Sequence, residues 1–428
     1  MAAHPPSIAR LRLRSMPMQV FVVVGYNNTR VYDVVRLRQL AKKRHGAGLV
    51  LIAEVASSLD SEAADQTIVT SLAETSLDES FARVAHRLAA DDLVPIGILP
   101  FSDRGILLGA KLCEAFRLPG PSLAEARVGI DKQVFRRLDQ EASHPPRYRP
   151  VGHRCVNDLE GFIDGTRQMG GKAFVKPMRE GASRGCFVVH SLAECATIWP
   201  NIARYATDGI IVEELVTDAT EYSWDYVAGA SWITEKETTN DSHRAEIQQI
   251  VPAPLTPIMR QAIDAAGEHM RQLSSTTHGA YHNEVFLRGS GMTSAVEVNM
   301  RPAGMHIWDL AWISFADFDP WIRWLDWASG LLMRSVEAPE AIRYSGIRML
   351  RPRKSGTVRR LPPTSMRIGE SLIHEIAFSV QPGASVSDRI VDNHAFIGHI
   401  MASNRDYRSL KTDLLQIAEA LENQIVIE

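Results

Sequence analysis

The sequence predicts a mixed fold in which a parallel α/β layer is followed by α+β regions. Between residues 18 and 122, apolar runs typical of buried strands alternate with amphipathic helical segments, as in a parallel sheet covered by helices. Residues 281–304 instead alternate apolar and polar side chains around a glycine-containing turn, which indicates an antiparallel hairpin. Short strands and a final helix follow after about residue 336.

The composition is that of an ordinary globular chain. It has 428 residues, of which 45% are hydrophobic and 23% charged, with a formal net charge of −3. This length suffices for two or three domains, and the nearly balanced charge gives no electrostatic case for a nucleic acid or an anionic membrane. No apolar run is long enough for a membrane span. The four cysteines lack zinc-site spacing, so we expect reduced thiols in a cytoplasmic protein.

The α/β layer begins with an apolar strand that ends at Gly25. No Gly-x-Gly-x-x-Gly sequence follows this glycine, so the dinucleotide-binding fingerprint is absent and a simple turn is expected there. Two capping boxes, Ser76 with Glu79 and Ser122 with Glu125, predict helix starts. Three apolar runs predict buried strands: 19–25, 49–53 and 94–99.

A glycine-rich loop, 179–185, connects two predicted strands and is a candidate phosphate site. Gly181, Ser183 and Gly185 leave backbone N–H groups free to approach a phosphate, and Lys176 adds positive charge just before the loop. The alternative is a flexible hairpin turn with no ligand.

The hairpin 281–304 brings two acidic residues together. With a symmetric loop, Glu284 lies directly opposite Glu297, and Phe286 lies opposite Ala295. The same register places His282 opposite Asn299. Because side chains alternate along a strand, Glu284, Glu297, Asn299 and Arg301 share one face.

Carboxylates placed directly opposite each other repel and destabilise the strand pair. Glu284 and Glu297 therefore require a cation, and a hard divalent ion bound by carboxylate and amide oxygens, including that of Asn299, is the natural candidate. Magnesium keeps positions open for phosphate oxygens, which suits nucleotide chemistry. The alternative is an exposed sheet face with both glutamates in water.

Two further stretches are rich in one residue type. Five of the eight tryptophans lie at 308–327, with helical spacing that predicts core or domain-interface packing. The basic cluster at 348–354 receives no role from the sequence and is interpreted as a solvated face, although Arg348 remains a candidate for an anionic ligand.

The order of these motifs resembles that of the ATP-grasp superfamily. The resemblance spans roughly residues 18–335. Within the superfamily, the chain is most similar to the L-amino-acid ligases, which join two amino acids with ATP. The residues that carry it are Asp131-Lys132, Phe174-Val175-Lys176-Pro177 with the glycine-rich loop, Val212-Glu213-Glu214-Leu215-Val216 with Glu221, then Glu284 and Glu297-Val298-Asn299-Met300-Arg301-Pro302-Ala303-Gly304.

The resemblance implies an ATP-grasp fold with an N-terminal Rossmann-like pre-ATP-grasp domain and a C-terminal α+β lid domain. The implied divisions are a flexible extension at 1–17, the pre-ATP-grasp α/β domain at 18–122, the small subdomain with the phosphate lid at 123–208, the large subdomain with the metal site at 209–335, and the C-terminal α+β domain at 336–428.

The resemblance also implies roles for residues around the nucleotide. Lys132 and Lys176 hold ATP phosphates, and Gly181, Ser183 and Gly185 belong to the mobile phosphate lid. Adenine meets Glu213, Glu214, Leu215 and Val216, and the ribose hydroxyls meet Glu221. The linker before Glu221 is one residue longer than is usual in the family, which leaves the ribose role open.

The remaining implied roles concern metal, catalysis and substrate. The metal ligands are Glu284, Glu297 and Asn299. Arg301 and Lys176 are the implied catalytic residues, with Arg301 stabilising the transferred phosphoryl group. The amino-acid pocket is implied to comprise His282, Arg301, Gly304, Met305 and His306.

The implied activity is ADP-forming ligation of one amino acid's carboxylate to another's amine through an acyl phosphate. Its cofactors are ATP and Mg²⁺, with Mn²⁺ as an alternative; its partners are small amino acids, without nucleic acid or membrane, and a homodimer stays open. The alternatives are a D-alanine-ligase-like or biotin-carboxylase-like enzyme and a catalytically silent ATP-binding module. No Met-Lys-Met biotin-attachment sequence occurs.

Overall fold

The computed structural model describes residues 17–26, 30–181, 184–239, 245–331, 339–366, 369–391 and 393–428. Ser183 and the predicted extension, apart from residue 17, lie outside the described residues. Within these ranges, no helix is long and apolar enough to cross a membrane.

The N-terminal sheet is parallel throughout, with strand order β3-β2-β1-β4. All five residues of Val20–Val24 are fully buried, because helices and neighbouring elements cover both faces. The predicted α/β layer is therefore confirmed. Its elements are β1 Met18–Val24, α1 Val31–His45, β2 Gly48–Ala53, α2 Asp60–Ala63, β3 Gln66–Val69, α3 Leu77–Ala90, β4 Leu93–Pro100 and α4 Ile106–Phe116.

The two predicted capping boxes have different outcomes. Ser122 forms a complete box at the start of α5, Leu123–Val128: its hydroxyl accepts from the Glu125 N–H, and the Glu125 carboxylate accepts from the Ser122 N–H. The helix start predicted at Ser76 is confirmed, because α3 begins at Leu77, but the capping box itself is absent. Ser76 belongs to the 3₁₀ turn Glu74–Ser76, with ψ near 8°, and its side chain makes no capping hydrogen bond, because a capping side chain requires an extended backbone.

A small antiparallel sheet follows, with strand order β5-β8-β6-β7. The predicted hairpin around the glycine-rich loop is confirmed as the pair β6–β7. The elements of this region are α6 Lys132–Glu141, β5 His153–Val156, α7 Leu159–Gln168, β6 Ala173–Pro177, β7 Phe187–Val189, α8 Glu194–Ile202 and β8 Ile210–Glu214.

The largest layer, called here the central sheet, has eight antiparallel strands in the order β13-β12-β9-β10-β11-β14-β18-β16. It includes strands from both sides of the predicted division at residues 335 and 336. Its elements are β9 Ala219–Val227, β10 Ala230–Thr238, β11 Glu246–Val251, α9 Pro257–Ser274, β12 Ala280–Arg288, β13 Thr293–Glu297, α10 Ile307–Ser314, α11 Pro320–Ala328, β14 Tyr344–Leu350, β16 Leu372–Phe378, β18 Gly398–Asn404 and α12 Tyr407–Gln424. A separate three-stranded sheet contains β15 Gly356–Arg360, β17 Ser385–Val386 and β19 Val426–Ile427.

The tryptophan-rich stretch forms the packing between these layers. Trp308, Trp321 and Trp324 are at most 1% exposed and belong to one cluster with Phe21 of β1 and Trp232 of β10. The predicted core role is therefore confirmed for these three. Trp312 is an exception, because it is 51% exposed.

Candidate functional site

A cleft of about 2360 Å³ lies between the three main sheets. Its wall includes Gly25 after β1, Lys176 of β6 and Glu284 of β12. Of the predicted site residues, Ser183 is outside the described residues and Gly185 is not in the cleft wall. The structure brings all the others to this one cleft: Lys132, Lys176, Gly181, Glu213, Glu214, Leu215, Val216, Glu221, His282, Glu284, Glu297, Asn299, Arg301, Gly304, Met305 and His306.

The hairpin β12–β13 pairs Glu284 directly with Glu297, as the sequence predicts. The predicted pairing of Phe286 with Ala295 is wrong, because Phe286 faces Ser294. The register shifts by one residue between Glu284 and Val285. A β-bulge of this kind inserts one unpaired residue, so a symmetric register cannot hold along the whole hairpin.

The two facing glutamates form ion pairs with different lysines. The Nζ of Lys132 lies 2.8 Å from Oε1 of Glu297, and the Nζ of Lys236 lies 2.8 Å from Oε1 of Glu284. These ion pairs offset the repulsion between facing carboxylates. The carboxylates and the amide of Asn299 form an oxygen-rich donor set, which is the chemistry that Mg²⁺ prefers, so these residues fit the ion that the motif order implies.

Lys236 is the centre of a buried charge cluster that sequence analysis missed. Its Nζ lies 2.6 Å from Glu221, 2.5 Å from Glu246 and 2.8 Å from Glu284, and its side chain is 1% exposed. We call Glu221, Glu246 and Glu284 the three-glutamate cluster. The only sequence signal was a lysine within the β-prone run 230–238, a strand that sequence analysis left unassigned.

The charges in this cluster change one another's protonation. Burial would lower the pKa of Lys236, but the three glutamates raise it well above its usual value. Burial raises the pKa of Glu221 despite Lys236. Burial would also raise the pKa of Glu284, but Lys236 and His282 outweigh this effect and lower that pKa. Three carboxylates around one ammonium leave an excess of negative charge, which favours a further cation at the Glu284 end.

Glu213 is held by two cations rather than left free for a ligand. Its carboxylate lies 2.7 Å from Nε of Arg136 and 2.9 Å from Nζ of Lys176. Burial opposes ionisation, but Arg136 and Lys176 lower the pKa of Glu213 to about 2. Arg136, which sequence analysis missed, also donates to the Ala295 and Val296 carbonyls at 2.9 and 2.8 Å. It therefore joins β8 to the hairpin.

The glycine-rich loop is tied to the hairpin through Lys132. Lys132 Nζ donates to the Glu180 carbonyl at 2.7 Å while pairing with Glu297. Arg179, at the start of the loop, lies 3.0 Å from Glu74 beside the N-terminal sheet. Gly185 has φ of +71°, and a Cβ there would meet Tyr205 at 2.7 Å, so this end of the loop requires glycine.

Two acids orient the basic residues of the hairpin: Asp103, which is partly exposed, and Asp225, which is fully buried. Arg301 Nε donates to Asp103 Oδ1 at 3.1 Å, and His282 Nδ1 lies 2.7 Å from Asp225 Oδ1. Burial would lower the pKa of His282, but Asp225 and Glu284 raise it to about 9. Asp103 and Asp225 are far from the hairpin in the chain, which is why sequence analysis missed both.

The end of the cleft beyond Arg301 is histidine-rich and strained. Met305 and His306 both have positive φ, at 50° and 56°, a conformation that is costly for side-chain-bearing residues and frequent at functional sites. The ring of His306 stacks on Tyr32 with centroids 3.9 Å apart. Arg348 of the basic cluster is not part of this wall; it hydrogen-bonds Gln248 at 3.0 Å.

Comparisons with known proteins give matches at the level of structure. No protein-family model and no curated protein sequence matches the chain. An L-amino acid ligase from Bacillus licheniformis superposes with a TM-score of 0.78 at 16% identity, over 97% of this chain and 100% of that one. A phosphoribosylglycinamide synthetase from Anaerococcus prevotii has a TM-score of 0.67 at 15% identity, with 96% and 99% covered.

A biotin carboxylase from Campylobacter jejuni, solved as a β-γ-ATP complex, also superposes. Its TM-score is 0.67 at 14% identity, over 96% of this chain and 92% of that one. Similarity of this extent at such low identity establishes the fold. The chain therefore has the ATP-grasp fold, which it shares with this carboxylase, the synthetase and the L-amino acid ligase.

Proposed function

We propose that the protein is an ADP-forming carboxylate–amine ligase that joins two L-amino acids with ATP. The observation that carries the proposal is the direct pairing of Glu284 with Glu297 in a cleft that Lys132, Lys176 and Arg301 also line. Two carboxylates and three cationic side chains around one space suit phosphoryl transfer, in which protein groups mainly position the reactants and offset their charge.

The nucleotide is proposed to lie between the small sheet and the hairpin. Leu215 and Val216, after β8, line the cleft and provide the backbone for the adenine edge. Lys132 and Lys176 lie on the path of the phosphates. Glu221 is proposed to bind the ribose hydroxyls, and this role requires its carboxylate to accept from the ligand while it remains near Lys236.

Glu284, Glu297 and Asn299 would hold Mg²⁺ or Mn²⁺, and the ion would supply positive charge next to the ATP phosphates. The chain's residues supply the rest. The Lys132 ammonium pairs with Glu297 in the structure. It can exchange this partner for the ATP phosphates, since an ammonium pairs with either anion. Arg301, oriented by Asp103, donates to the transferred phosphoryl group and to the acyl phosphate carbonyl oxygen.

An acyl phosphate is lost to hydrolysis if water reaches it, so the site requires a cover. The glycine-rich loop is proposed to serve as the phosphate lid, with Gly181, Ser183 and Gly185 approaching the phosphates. Its contacts support this role, because Lys132 binds both the loop carbonyl of Glu180 and the hairpin carboxylate of Glu297. Closing such a loop excludes water and completes the site.

The amino acids are proposed to bind between Arg301 and the histidine-rich end. His282, which pairs with Asp225, is proposed to face the carboxylate of the amino-acid substrate. Gly304, Met305 and His306 line the rest of the pocket. The amine of the second amino acid attacks the acyl carbon, the C–O bond to phosphate breaks, and phosphate leaves as the amide forms. The dipeptide product, rather than another amide, is the finer part of the proposal, supported by the extent of the L-amino acid ligase match.

The proposed location is the cytoplasm, consistent with four free cysteines among the described residues. The divisions 18–122, 123–208, 209–335 and 336–428 are likewise proposed as the domains, with the C-terminal one closing part of the cleft. A homodimer is proposed as the assembly.

The test is product analysis with the purified protein, Mg²⁺, ATP and all pairs of amino acids. The expected products are ADP, phosphate and a dipeptide identified by mass. Formation of AMP and pyrophosphate would point instead to adenylate chemistry. ATP binding without turnover under any amino-acid pair would favour a silent nucleotide-binding module.

A further inference from the structure

The histidine-rich end of the cleft contains a cluster of three residues, of which only His306 has a place in the proposed ligation, as part of the wall of the amino-acid pocket. His306 precedes α10, Glu375 lies on β16 and His399 lies on β18. One potential ligand atom from each lies within 4.8 Å of the other two. These three residues, called here the histidine cluster, come from distant parts of the chain, so only the tertiary structure assembles them.

The ring of His306 is fixed so that one nitrogen remains available. Its Nδ1 lies 3.0 Å from the carboxylate of Asp309, and its Nε2 is buried without a hydrogen-bond partner among the described residues. The side chain is only 7% exposed, so water does not readily satisfy that nitrogen. A carboxylate on one imidazole nitrogen and an open second nitrogen is the arrangement that orients metal-binding histidines.

The other two residues complete the ligand set by distance and chemistry. His399 Nε2 lies 3.5 Å from Glu375 Oε2, and it too makes no hydrogen bond to any residue within the described ranges. Ligands bound about 2.1 Å from zinc at tetrahedral angles lie about 3.4 Å apart. The remaining separations, up to 4.8 Å, close with small side-chain rotations.

We propose that His306, Glu375 and His399 form a site for a divalent transition metal of the zinc class, separate from the oxygen-donor site at Glu284 and Glu297. Two imidazoles and one carboxylate are a ligand set for zinc and related ions, with a further position left open. His306 and His399 both line the cleft, so water or a bound ligand occupies that position. The metal links β16 and β18 to the segment that begins α10.

The charge around the cluster is compatible with such an ion. Glu375 contributes one negative charge directly, and Asp309 contributes another behind His306. Asp309 also pairs with Arg36 at 2.5 Å, so this carboxylate is partly compensated. Oxygen-preferring Mg²⁺ does not select a site with two imidazoles, which separates the two metal sites by chemistry.

The test uses the full chain, stripped with a chelator and then given one equivalent of Zn²⁺ in the absence of ATP and Mg²⁺. We expect about one zinc per chain after gel filtration and a rise in the thermal unfolding midpoint, since binding to the folded state stabilises it. Glu375→Gln and His399→Asn are both expected to lose the bound zinc. Co²⁺ in place of zinc adds a ligand-field spectrum that reports nitrogen ligation.

His374→Asn is the matched control, because His374 neighbours Glu375 on β16 but hydrogen-bonds Ser403 at 2.8 Å instead. It is expected to keep the zinc. Zinc retained by both cluster variants, for instance at Asp139, His144 and His269, would overturn the proposal, as would no zinc bound by the parent chain. Because Glu375 is 43% exposed, Glu375→Gln keeps the test decisive even if His399→Asn fails to fold. Metal content is independent of ADP formation, so this inference and the proposed ligase function fail separately.

Discussion

The N-terminal sheet buries mainly apolar side chains, whereas the central sheet buries charged side chains as well. Strand β1 contributes five fully buried apolar residues, Val20–Val24, and such burial stabilises the fold directly. The central sheet also buries apolar residues, but with them it buries Lys236, Asp225 and His282. Buried charges are costly unless paired, and even paired ones often stabilise less than apolar residues of the same size. The contrast indicates that the first sheet supports the fold and the second serves the site.

The sharpest test of this contrast is Glu297→Ala. We expect ligase turnover to be abolished, because the change removes a metal ligand and the partner of Lys132, while the thermal unfolding midpoint stays close to that of the parent. Steady-state ADP release and thermal unfolding measure the two effects. An active Glu297→Ala enzyme would contradict the site.

Leu51→Ala in the N-terminal sheet is the opposite case. Leu51 is fully buried in β2, and its truncation is expected to cost about 2–5 kcal/mol of unfolding free energy through lost apolar burial and a cavity. The turnover number of the folded fraction should be unchanged. A large fall in turnover per folded molecule would show that this sheet is not merely a support.

Lys236→Met tests the three-glutamate cluster. Removing the cation that Glu221, Glu246 and Glu284 share leaves three partly buried carboxylates uncompensated. The unfolding free energy at neutral pH is expected to fall, by less than the roughly 3–5 kcal/mol of breaking a fully buried ion pair. Urea unfolding measures this loss. Adding Glu246→Gln to the variant should recover part of it, and a Lys236→Met protein as stable as its parent would contradict the buried-charge account.

Arg301→Ala is expected to lower kcat by about 100- to 1000-fold, the usual effect of losing one donor to transition-state charge. ATP affinity, measured by calorimetry without amino acids, should change far less. If affinity fell as much as kcat, Arg301 would instead act in ground-state binding.

The smallest expected effect is the pH dependence from His282. Its pKa is raised from 6.5 to about 9, so its ion pair with Asp225 contributes fully below pH 6.5 and is lost as the pH rises through about 9. The linked change is roughly 3 kcal/mol at most. Urea unfolding of the parent and of His282→Asn between about pH 6 and pH 10 should show this loss in the parent only. Equal slopes for both proteins would contradict it.

Sequence reasoning succeeded where the pattern is local. The apolar runs, the Ser122 box, the β6–β7 hairpin and the facing of Glu284 and Glu297 are all readable from neighbouring residues, because strand and helix periodicity act over short distances. The motif order then led to the ATP-grasp fold.

It failed where a contact depends on distant chain segments. The bulge between Glu284 and Val285 breaks the symmetric register, and nothing in the hairpin's alternation marks it. Lys236, Arg136 and Asp225 acquire their importance from partners about 10 to 80 or more residues away, so their buried charge is decided by tertiary packing rather than by local pattern. The predicted capping contact of Ser76 is absent because this residue lies in a 3₁₀ turn rather than in an extended conformation.

The most direct test of the central claim uses amino acids labelled with ¹⁸O in the carboxylate. If the protein activates a carboxylate by phosphoryl transfer, one labelled oxygen must move into the released inorganic phosphate, with ADP and a dipeptide as the other products. Label appearing in AMP, or dipeptide-free ATP consumption with unlabelled phosphate, would contradict the account.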